Sequence, residues 1–563
     1  FKPQAYEKAS EIIGGMRGSV ADLYKKEGRA GLTSIEGVGE GIADVIEDLL
    51  KTGKSRHHAE LKKKTPVDLT ALLSVEGLGP KGIRRLYKEL GIRTLKDLER
   101  AAKKGKIAAL EGFGKKSEEN IVRGIEFVNR SGGRLLLGDA LPAVERIAEE
   151  LRHVAGVEEA LVAGSLRRRK ETIGDGDILV ISKHPEPVME RFTTLPDVVR
   201  VYARGGTKAS VRIHMGMDID LRIVPRESAG AALNYFTGSK EHNVALRTIA
   251  IKKGLKLNEY GLFSRSGKRV AGKTEKEIYD ALGVAYMEPE LRENAGEIEA
   301  ALLRQPADQG EPGLPNLIGY GDLRGDLQTQ TNWTDGGNSI EEMAEAAMKA
   351  GLEYIAITDH TKRLAMTNGL NERRVRLQTG EIRRVNESLK KEGKRFRVLT
   401  GTECDILKDG SLDLPDDVLA ELDVVGVSVH SLFRLSQKEQ TERIIAAMRN
   451  PHADILFHPT GRLINRRDAY DVDMDALIAV AKETGTVLEV DAFPDRLDLN
   501  AEHIRTCVQA GVKVAIDSDA HAAAHFGVLQ YGIAQARRGW AEKKDVINAW
   551  PAEKMLGMLK KKS

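Results

Sequence analysis

Two aspartates, Asp175 and Asp177, stand two residues apart at the start of an apolar run in the segment GSLRRRKETIGDGDILV. Alternate residues of a β-strand project from the same face, so these carboxylates would lie side by side. Close like charges raise each other's pKa unless a cation neutralises them, and Mg²⁺ prefers such oxygen ligands. A second pair, Asp218 and Asp220, lies in another apolar run. The spacing predicts a magnesium site for phosphate chemistry, although solvated aspartates at a strand edge explain a lone D-x-D about as often.

A glycine-serine pair, Gly164 and Ser165, precedes these aspartates and is followed closely by Arg167, Arg168 and Arg169. Backbone amides, a hydroxyl group and cationic side chains together bind a triphosphate well. The arrangement therefore indicates a nucleotide site beside the metal site.

A second set of candidate ligands lies in the C-terminal half, where short apolar segments each end in a histidine or an acid. These residues are His360, Glu403, His430, His458, Asp519 and His521. Ligands at the ends of successive strands are typical of a βα barrel, and imidazole with carboxylate suits Zn²⁺ or Mn²⁺. A lone histidine such as His214 or His452 is more often an ordinary core or surface residue.

Three similar segments, 34–50, 74–90 and 109–125, stand upstream and would position DNA rather than perform chemistry. Each has two glycines two residues apart before a helical pattern, which allows a tight turn and leaves helix amides free for a phosphate. The glycines are Gly37, Gly39, Gly77, Gly79, Gly112 and Gly114. Residues 1–130 also carry 26 basic and 19 acidic side chains, a net charge of +7. We interpret these segments as helix-hairpin-helix motifs that bind DNA backbone.

The chain has 563 residues, which is too long for one hydrophobic core, so three or more domains are expected. Residues 158–164, 175–182 and 217–225 read as strands. We found neither a membrane-spanning apolar run nor a secretory signal, and Cys404 and Cys507 cannot form a disulfide framework. A cytoplasmic, nucleoid-associated protein without a membrane partner is therefore expected. Because the chain begins at Phe1 and enters a helical pattern at once, we also expect residues before it.

The ordered motifs G-S-x-R-R, G-D-x-D, D-x-R, Y-F-T-G-S and N-E-Y resemble the family X DNA polymerases, similar to DNA polymerase beta, over roughly residues 1–265. The resemblance implies a nucleotidyltransferase palm with fingers and thumb, acting on gapped or primer-template DNA and deoxynucleoside triphosphates. It implies that Asp175 and Asp177 bind two Mg²⁺ ions, and that Asp220 binds the catalytic one and helps to deprotonate the primer 3′ hydroxyl. Asp218 is left without a role.

The same resemblance implies further contacts to the incoming nucleotide, the template and the DNA. Triphosphate contacts fall on Gly164, Ser165, Arg168 and the amide of Gly174. Sugar contacts fall on Tyr235, Phe236 and Gly238, and base-pair contacts fall on Asn243 and Arg247. Arg222 and Glu259 match residues that exchange partners on closing.

The first helix-hairpin-helix segment departs from the relatives that cleave a 5′-deoxyribose phosphate through a lysine imine. Val45 stands at the position of the nucleophile and Gly41 at that of a supporting lysine. Lys2 and Tyr6 match other positions near the 5′-phosphate. We therefore expect 5′-phosphate binding with weak or absent lyase activity.

The C-terminal block resembles a PHP (polymerase and histidinol phosphatase) domain over about 317–563. The resemblance implies Mn²⁺-dependent 3′-5′ exonuclease or abasic-site processing. It implies three metal groups, of which Glu403 with His430 and His458, and Asp335 with His360 and His521, look intact. In the third, with Glu403 and Asp519, the usual H-x-H is Gln328-x-Gln330, and a neutral amide is a poor substitute for imidazole. We expect reduced nuclease activity.

The combined prediction is a multidomain α+β and α/β protein with helix-hairpin-helix N-terminal domains, a nucleotidyltransferase palm with fingers and thumb, and a C-terminal PHP βα barrel. The predicted boundaries are 1–65 (lyase-like DNA-binding domain), 66–130 (fingers-type domain), 131–225 (palm), 226–303 (thumb), 304–316 (linker) and 317–563 (PHP). A gap-filling repair polymerase, expected to be a monomer, is favoured. The alternatives are a 3′-end or abasic-site nuclease whose polymerase core positions DNA, and a non-catalytic DNA-binding scaffold.

Overall fold

The computed structural model describes most of the chain, with gaps near both ends and between its two halves. The described residues are 5–6, 9–10, 13, 20–35, 37–64, 66–73, 75, 78–110, 112–130, 133–302 and 313–559. Lys2, Gly77 and most of the predicted linker lie outside them. None of the helices within these ranges combines the length and hydropathy that a membrane span requires.

The N-terminal region is helical and packs around two small apolar cores. Its helices are α1 (Val20–Thr33), α2 (Glu40–Thr52), α3 (Arg56–Lys64), α4 (Leu69–Leu73), α5 (Pro80–Leu90), α6 (Leu95–Lys103) and α7 (Lys115–Arg130). Gly39 caps the start of α2 and Gly79 that of α5, while left-handed Gly53 and Gly91 end the same two helices. Glycine suits those ends because it adopts positive φ without steric cost. The glycine spacing thus sets the turn-helix repeats.

A mixed sheet follows, with strand order β2-β4-β7-β6-β5. The elements are β1 (Leu135–Leu136), α8 (Leu137–Arg152), β2 (Val157–Val162), α9 (Gly164–Arg167), β3 (Thr172–Ile173), β4 (Asp175–Ser182), α10 (Pro185–Thr193), β5 (Val198–Arg204), β6 (Lys208–Ile213) and β7 (Asp218–Val224). Strands β4 and β7 are parallel neighbours in the middle of the sheet, while the other pairs are antiparallel. One face packs on α8 and α10. The predicted strands are all present.

A smaller α+β unit completes the N-terminal half. It contains α11 (Ala229–Thr237), α12 (Lys240–Lys252), β8 (Leu255–Asn258), β9 (Gly261–Ser264), β10 (Arg269–Ala271), α13 (Glu275–Leu282) and α14 (Glu297–Leu302). Its three strands form an antiparallel sheet, and its helices share a core that includes Leu246, Ile278 and Tyr279.

The C-terminal half is a seven-stranded parallel sheet, β11 to β17 in sequence order, whose edges meet through a bridge between Thr329 and Ala520. Its strands are β11 (Gly325–Thr329), β12 (Tyr354–Ile357), β13 (Arg397–Asp405), β14 (Val424–Ser428), β15 (Ile455–Leu456), β16 (Val487–Asp491) and β17 (Val514–Asp517). Its helices are α15 (Ile340–Lys349), α16 (Glu372–Lys391), α17 (Asp416–Leu419), α18 (Gln437–Met448), α19 (Met474–Thr484), α20 (Ala501–Ala510), α21 (Leu529–Arg538) and α22 (Ala552–Met558). The sheet is nearly closed, so the predicted βα barrel is confirmed.

The barrel packs directly against the mixed sheet. Leu497 and Tyr531 from the barrel belong to the core formed by α8 and the sheet. A Cβ atom at Gly138 of α8 would lie 2.5 Å from the Pro494 ring, so the two halves touch too closely for a side chain there. Arg462 donates to both carboxylate oxygens of Glu171, at 3.2 and 2.8 Å. The barrel therefore braces the sheet that carries the aspartates.

Candidate active sites

The three aspartates predicted to bind metal lie together because of the register between two parallel strands. Asp177 of β4 pairs with Asp220 of β7, and Asp175 pairs with Asp218. Paired residues of neighbouring strands project from the same face. Burial, followed by the charges of Asp175 and Asp220, raises the pKa of Asp177 to about 7. Such mutual repulsion is what a divalent cation relieves, so these donors fit Mg²⁺.

Asp218 is engaged elsewhere, although it lies on the same strand as Asp220. Arg212 of β6 donates to its two carboxylate oxygens at 2.7 and 2.9 Å. Hydrogen bonding to Arg212 lowers the pKa of Asp218. Its charge is therefore already neutralised, in keeping with the absence of a predicted role.

Two glycines allow the Asp177 carboxylate to occupy its place. Gly164 has a φ of 61°, and a Cβ atom there would lie 2.1 Å from Asp177 Oδ2. On the opposite face of β4, a Cβ atom at Gly176 would lie 2.9 Å from Val144 of α8. Neither position has room for a side chain, because the first residue of α9 approaches the Asp177 carboxylate and α8 approaches β4.

A pocket of about 360 Å³ opens beside the carboxylates. It is lined by Gly164, Ser165, Arg168, Asp175, Asp177, Tyr235, Phe236, Gly238, Lys240, Asn243 and Arg247. The structure thus brings together the predicted nucleotide contacts except Gly174, which lies beside Arg134. Lys240 was missed by the sequence reasoning, although a cation two residues after Gly238 in the matched segment was a usable signal.

Several of the lining residues are held by bonds within the pocket wall. Asn243 donates to the Tyr235 carbonyl at 2.7 Å, and Arg247 donates to the Asn243 carbonyl at 3.2 Å. Arg222 of β7 lies over the Phe236 ring, 5.3 Å from its centroid. These contacts fix α11 and α12 against the sheet that carries the carboxylates.

A buried ion-pair network, which the sequence did not reveal, supports the turn before the aspartates. Arg167 donates to both oxygens of Glu275 at 3.0 and 2.7 Å, and the fully buried Arg292 donates to Glu275 at 2.5 Å. Burial would raise the pKa of Glu275, but the charges of Arg292 and Arg167 hold it at about 2. The carboxylate therefore stays ionised and anchors the residue next to Arg168.

The helix-hairpin-helix glycines divide into two kinds. Gly37 and Gly112, with φ values of 75° and 80°, need glycine for the turn itself. Gly39, Gly79 and Gly114 are exposed, and a Cβ atom at any of them would meet no described atom within 4 Å. An exposed glycine that its own fold does not require suits close approach by an outside group, here a phosphate backbone. Of the two residues matched to the 5′-phosphate side, Lys2 lies outside the described residues, and Tyr6 stacks on His57.

The barrel site is centred on Glu403. His430 Nε2 and His458 Nε2 lie 3.0 and 2.9 Å from Glu403 Oε1, while His360 Nδ1 lies 3.2 Å from Oε2. Burial would raise the pKa of Glu403, but His360 and His430 hold it well below its usual value. The expected group of Glu403, His430 and His458 is therefore assembled, and His360 joins it. Glu403 lies inside β13 rather than at its end.

A second group is formed by Asp335, His360 and His521. The two histidine Nε2 atoms each lie 3.7 Å from an oxygen of Asp335, close enough to share one ion. His458 and Asp519 have φ values of 29° and 50°, a left-handed region that side chains rarely adopt. Strained backbone of this kind concentrates at functional sites. Nitrogen and oxygen donors in this arrangement fit Zn²⁺ or Mn²⁺.

The two glutamines are fully buried within the same site. Gln330 Nε2 donates to Glu403 Oε2 at 2.9 Å, so this carboxylate oxygen is already engaged by an amide. Gln328 Oε1, Gln330 Oε1 and Asp519 Oδ1 have no hydrogen-bond partner among the described residues. The third group therefore offers neutral amide oxygens in place of imidazole nitrogens, and these are weaker ligands for a transition metal ion.

Four further buried acids lie near this site and were missed by the sequence reasoning. Burial and neighbouring carboxylates raise the pKa values of Glu489, Asp491 and Asp517 well above the usual value, and burial raises that of Asp326 to about 7. Arg496 offsets part of this charge, with Nε 3.2 Å from Asp491 Oδ2. The alternation of Glu489 and Asp491 along β16 was a signal of the same type as Asp175 and Asp177.

Comparison with known families gives three matches along the chain. Family models match as "DNA polymerase beta thumb" over 232–293, "SAM-like helix-hairpin-helix tandem" over 69–126 and "PHP domain" over 326–513. The first helix-hairpin-helix segment lies outside the tandem match.

Curated relatives agree with these matches. The "DNA polymerase/3'-5' exonuclease PolX" of Bacillus subtilis is 38% identical over 564 residues, covering 100% of this chain and 95% of the relative. "DNA polymerase lambda" of Arabidopsis thaliana is 28% identical over 296 residues, covering 46% of this chain and 53% of the relative. A "probable phosphatase" of Thermoanaerobacter sp. is 28% identical over 235 residues, covering 39% of this chain and 89% of the relative.

Proposed function

The chain belongs to the family X DNA polymerases of the PolX type, with helix-hairpin-helix and PHP domains, and we propose that it fills short gaps in primer-template DNA during repair. It is a DNA polymerase/3′-5′ exonuclease, so the family and enzyme class predicted from its sequence are confirmed. The gap-filling role, the metals and the duties of individual residues are proposals.

One observation carries the assignment of the polymerase site to Asp175, Asp177 and Asp220. Their strand register places them together, and the resulting repulsion raises the pKa of Asp177 to about 7. Three carboxylates beside a triphosphate-sized pocket would hold two Mg²⁺ ions. When bound, these ions would lower the pKa of the primer 3′ hydroxyl and stabilise the leaving pyrophosphate.

The remaining side chains bind and orient the substrates. Ser165, Arg168 and Lys240 would bind the triphosphate by hydroxyl and cationic donors. Tyr235 and Phe236 would border the sugar, with Asn243 and Arg247 beside the base pair. Asp220 lies next to Asp177 and would accept the proton of the primer hydroxyl.

Primer extension on a one-nucleotide gap tests this assignment, first with Mg²⁺ and then with Mn²⁺. A parallel reaction with a 3′-labelled primer measures degradation. Extension that exceeds degradation is expected. Degradation without extension would favour the alternative of a 3′-end or abasic-site nuclease, and DNA binding with neither reaction would favour a scaffold.

The exonuclease is proposed to work below the capacity of a complete PHP site. Asp335, His360, Glu403, His430, His458, Asp519 and His521 would hold Mn²⁺ or Zn²⁺. These ions would supply a nucleophile and neutralise the phosphate. Because Gln330 occupies Glu403 Oε2 and Gln328 offers no imidazole, the third position should bind its ion weakly.

Further expectations concern the whole protein and its N-terminal domain. We infer a monomeric, cytoplasmic protein associated with the nucleoid, divided at the domain boundaries predicted above. Val45 and Gly41 stand where an imine-forming site would need lysines, so the N-terminal domain should bind a 5′-phosphate without lyase chemistry. A borohydride-trapped DNA adduct would overturn that last expectation.

A further inference from the structure

We propose that Arg538, at the end of barrel helix α21, is a positioning residue for nucleotide binding in the polymerase pocket. Arg538 does not line that pocket. It acts on Arg168, which does, through the carboxylate of Glu293. The inference rests on the proposed polymerase function of the pocket.

The contacts form a compact cluster between the two halves of the chain. Arg538 Nη1 donates to the Arg168 carbonyl at 2.8 Å and to Glu293 Oε1 at 3.1 Å. Arg168 Nε donates to the same Glu293 oxygen at 3.1 Å, and Lys170 Nζ lies 3.8 Å from it. The side chains of Arg538, Arg168 and Glu293 are only 10%, 13% and 24% exposed, so water screens these charges weakly.

Glu293 is ionised and competes with a nucleotide for Arg168. Burial would raise its pKa, but the charges of Arg538, Arg168 and Lys170 hold that pKa below the usual value. A triphosphate entering the pocket must draw Arg168 away from this carboxylate. It also meets the negative charge of Glu293 nearby.

Arg538 reduces both costs. Its guanidinium neutralises Glu293 independently of Arg168, so the bond between Arg168 and Glu293 is weaker than it would be alone. Its bond to the Arg168 carbonyl also holds the backbone of the residue that reaches the triphosphate. The barrel therefore contributes a charge on which the affinity of the polymerase pocket depends.

The test compares the KM for deoxynucleoside triphosphate and the kcat of full-length variants on a one-nucleotide gap. Arg538→Gln should raise KM roughly 3- to 10-fold, the size of one weakly screened charge-assisted contact, and change kcat less than about twofold. Arg538→Lys should restore part of the loss because it keeps the charge. Arg538→Gln with Glu293→Gln should return KM towards wild type, because the competing charge is gone.

A matched control separates this effect from a loosened interface. Arg505 of α20 donates to the Ala295 carbonyl across the same interface and lies over Trp540, so it braces the same junction through a backbone carbonyl and a ring rather than through the Glu293 carboxylate. Arg505→Gln should leave KM unchanged. If Arg538→Gln does not fold, Glu293→Gln alone still tests the inference. Loss of the carboxylate that competes for Arg168 should lower the KM for deoxynucleoside triphosphate about twofold or more.

The contrary outcomes distinguish failure of the role of Arg538 from failure of the proposed polymerase function. Wild-type protein that extends the primer, with an Arg538→Gln variant of unchanged KM, overturns the inference alone. So does an equal rise of KM in the Arg505 control, or a double variant that fails to recover. Wild-type protein that does not extend the primer overturns the proposed function as well.

Discussion

The two candidate metal sites of this chain hold their central carboxylates in opposite ways. In the palm, Asp175, Asp177 and Asp220 face one another, and the pKa of Asp177 rises to about 7. In the barrel, Glu403 contacts His430, His458 and Gln330, and its pKa falls well below the usual value. The first site concentrates negative charge, while the second supplies positive charge and hydrogen bonds to its central carboxylate from its own side chains.

This difference indicates where function depends on an added ion. A carboxylate cluster in which repulsion raises the pKa of its central acid gains most when a divalent cation enters, since the ion removes repulsion that the fold leaves in place. A carboxylate that its neighbours already satisfy gains less. The palm should therefore bind metal with a full set of ligands, while the barrel must first release the bond between Gln330 and Glu403.

The strongest test of the comparison is Asp177→Asn. Removal of a charge from the metal site should lower gap filling by about 1,000-fold or more, the effect of losing roughly 4 kcal/mol of transition-state stabilisation. Exonuclease activity should not change. The control is Asp218→Asn on the neighbouring strand, which breaks only the exposed pair with Arg212 and should cost less than about threefold. Equal losses in both variants would remove the distinction between the two carboxylates.

A second test asks whether the position of the Asp177 carboxylate depends on the absence of a side chain at residue 164. Gly164→Ala places a Cβ atom 2.1 Å from Asp177 Oδ2 and requires a φ of 61°. Displacement of that carboxylate should reduce extension by roughly 10- to 100-fold with exonuclease activity intact. The control, Gly206→Ala, adds a Cβ atom with no described atom within 4 Å. Full polymerase activity in Gly164→Ala, with a normal melting temperature, would refute the account.

The barrel side of the comparison is tested by restoring imidazole. The double variant Gln328→His with Gln330→His should raise Mn²⁺-dependent 3′-5′ exonuclease activity about tenfold, because the third group regains nitrogen donors. Release of 3′-labelled nucleotide from single-stranded DNA provides the measurement. Adding Asp177→Asn to this variant excludes any contribution from the polymerase site. An unchanged rate would mean that the glutamines do not limit the nuclease.

The smallest effect is expected in the DNA-binding turns. Gly79→Ala fits the fold, since φ is −82° and the added Cβ atom meets no described atom within 4 Å, but it projects towards an approaching phosphate. Affinity for gapped DNA should fall about threefold, with an unchanged melting temperature. Gly380→Ala, inside barrel helix α16, also adds a Cβ atom with no described atom within 4 Å; it is the control and should not weaken binding. A large loss of stability in Gly79→Ala would show that the glycine serves the fold instead.

The sequence predicted the palm well because its signals are local. The alternation of Asp175 and Asp177 on an apolar run specified a strand face, and the apolar run around Asp220 specified its neighbour. The barrel strands could be predicted equally well, because each short apolar segment ended near a histidine or acid that could bind a metal ion. Motif order then placed the pocket residues together.

Partners far apart in the chain could not be predicted. The pairing of Arg167 with Glu275, or of Arg168 with Glu293, depends on how the small α+β unit folds back over the palm. Arg538 lies 370 residues from Arg168, and nothing in its segment distinguishes it from any other helix-ending arginine. Gln330 could be recognised as a departure from the motif, but its bond to Glu403 required coordinates.

The docking of the barrel on the palm bears on how such a chain can change over generations. Arg462, Leu497 and Tyr531 support the polymerase half whether or not the barrel cleaves DNA. A deletion of the barrel would leave Glu171 without its arginine and expose apolar surface, so selection would keep the domain as a scaffold. Its ligands are then free to drift, and a nuclease can fade while its framework is inherited intact.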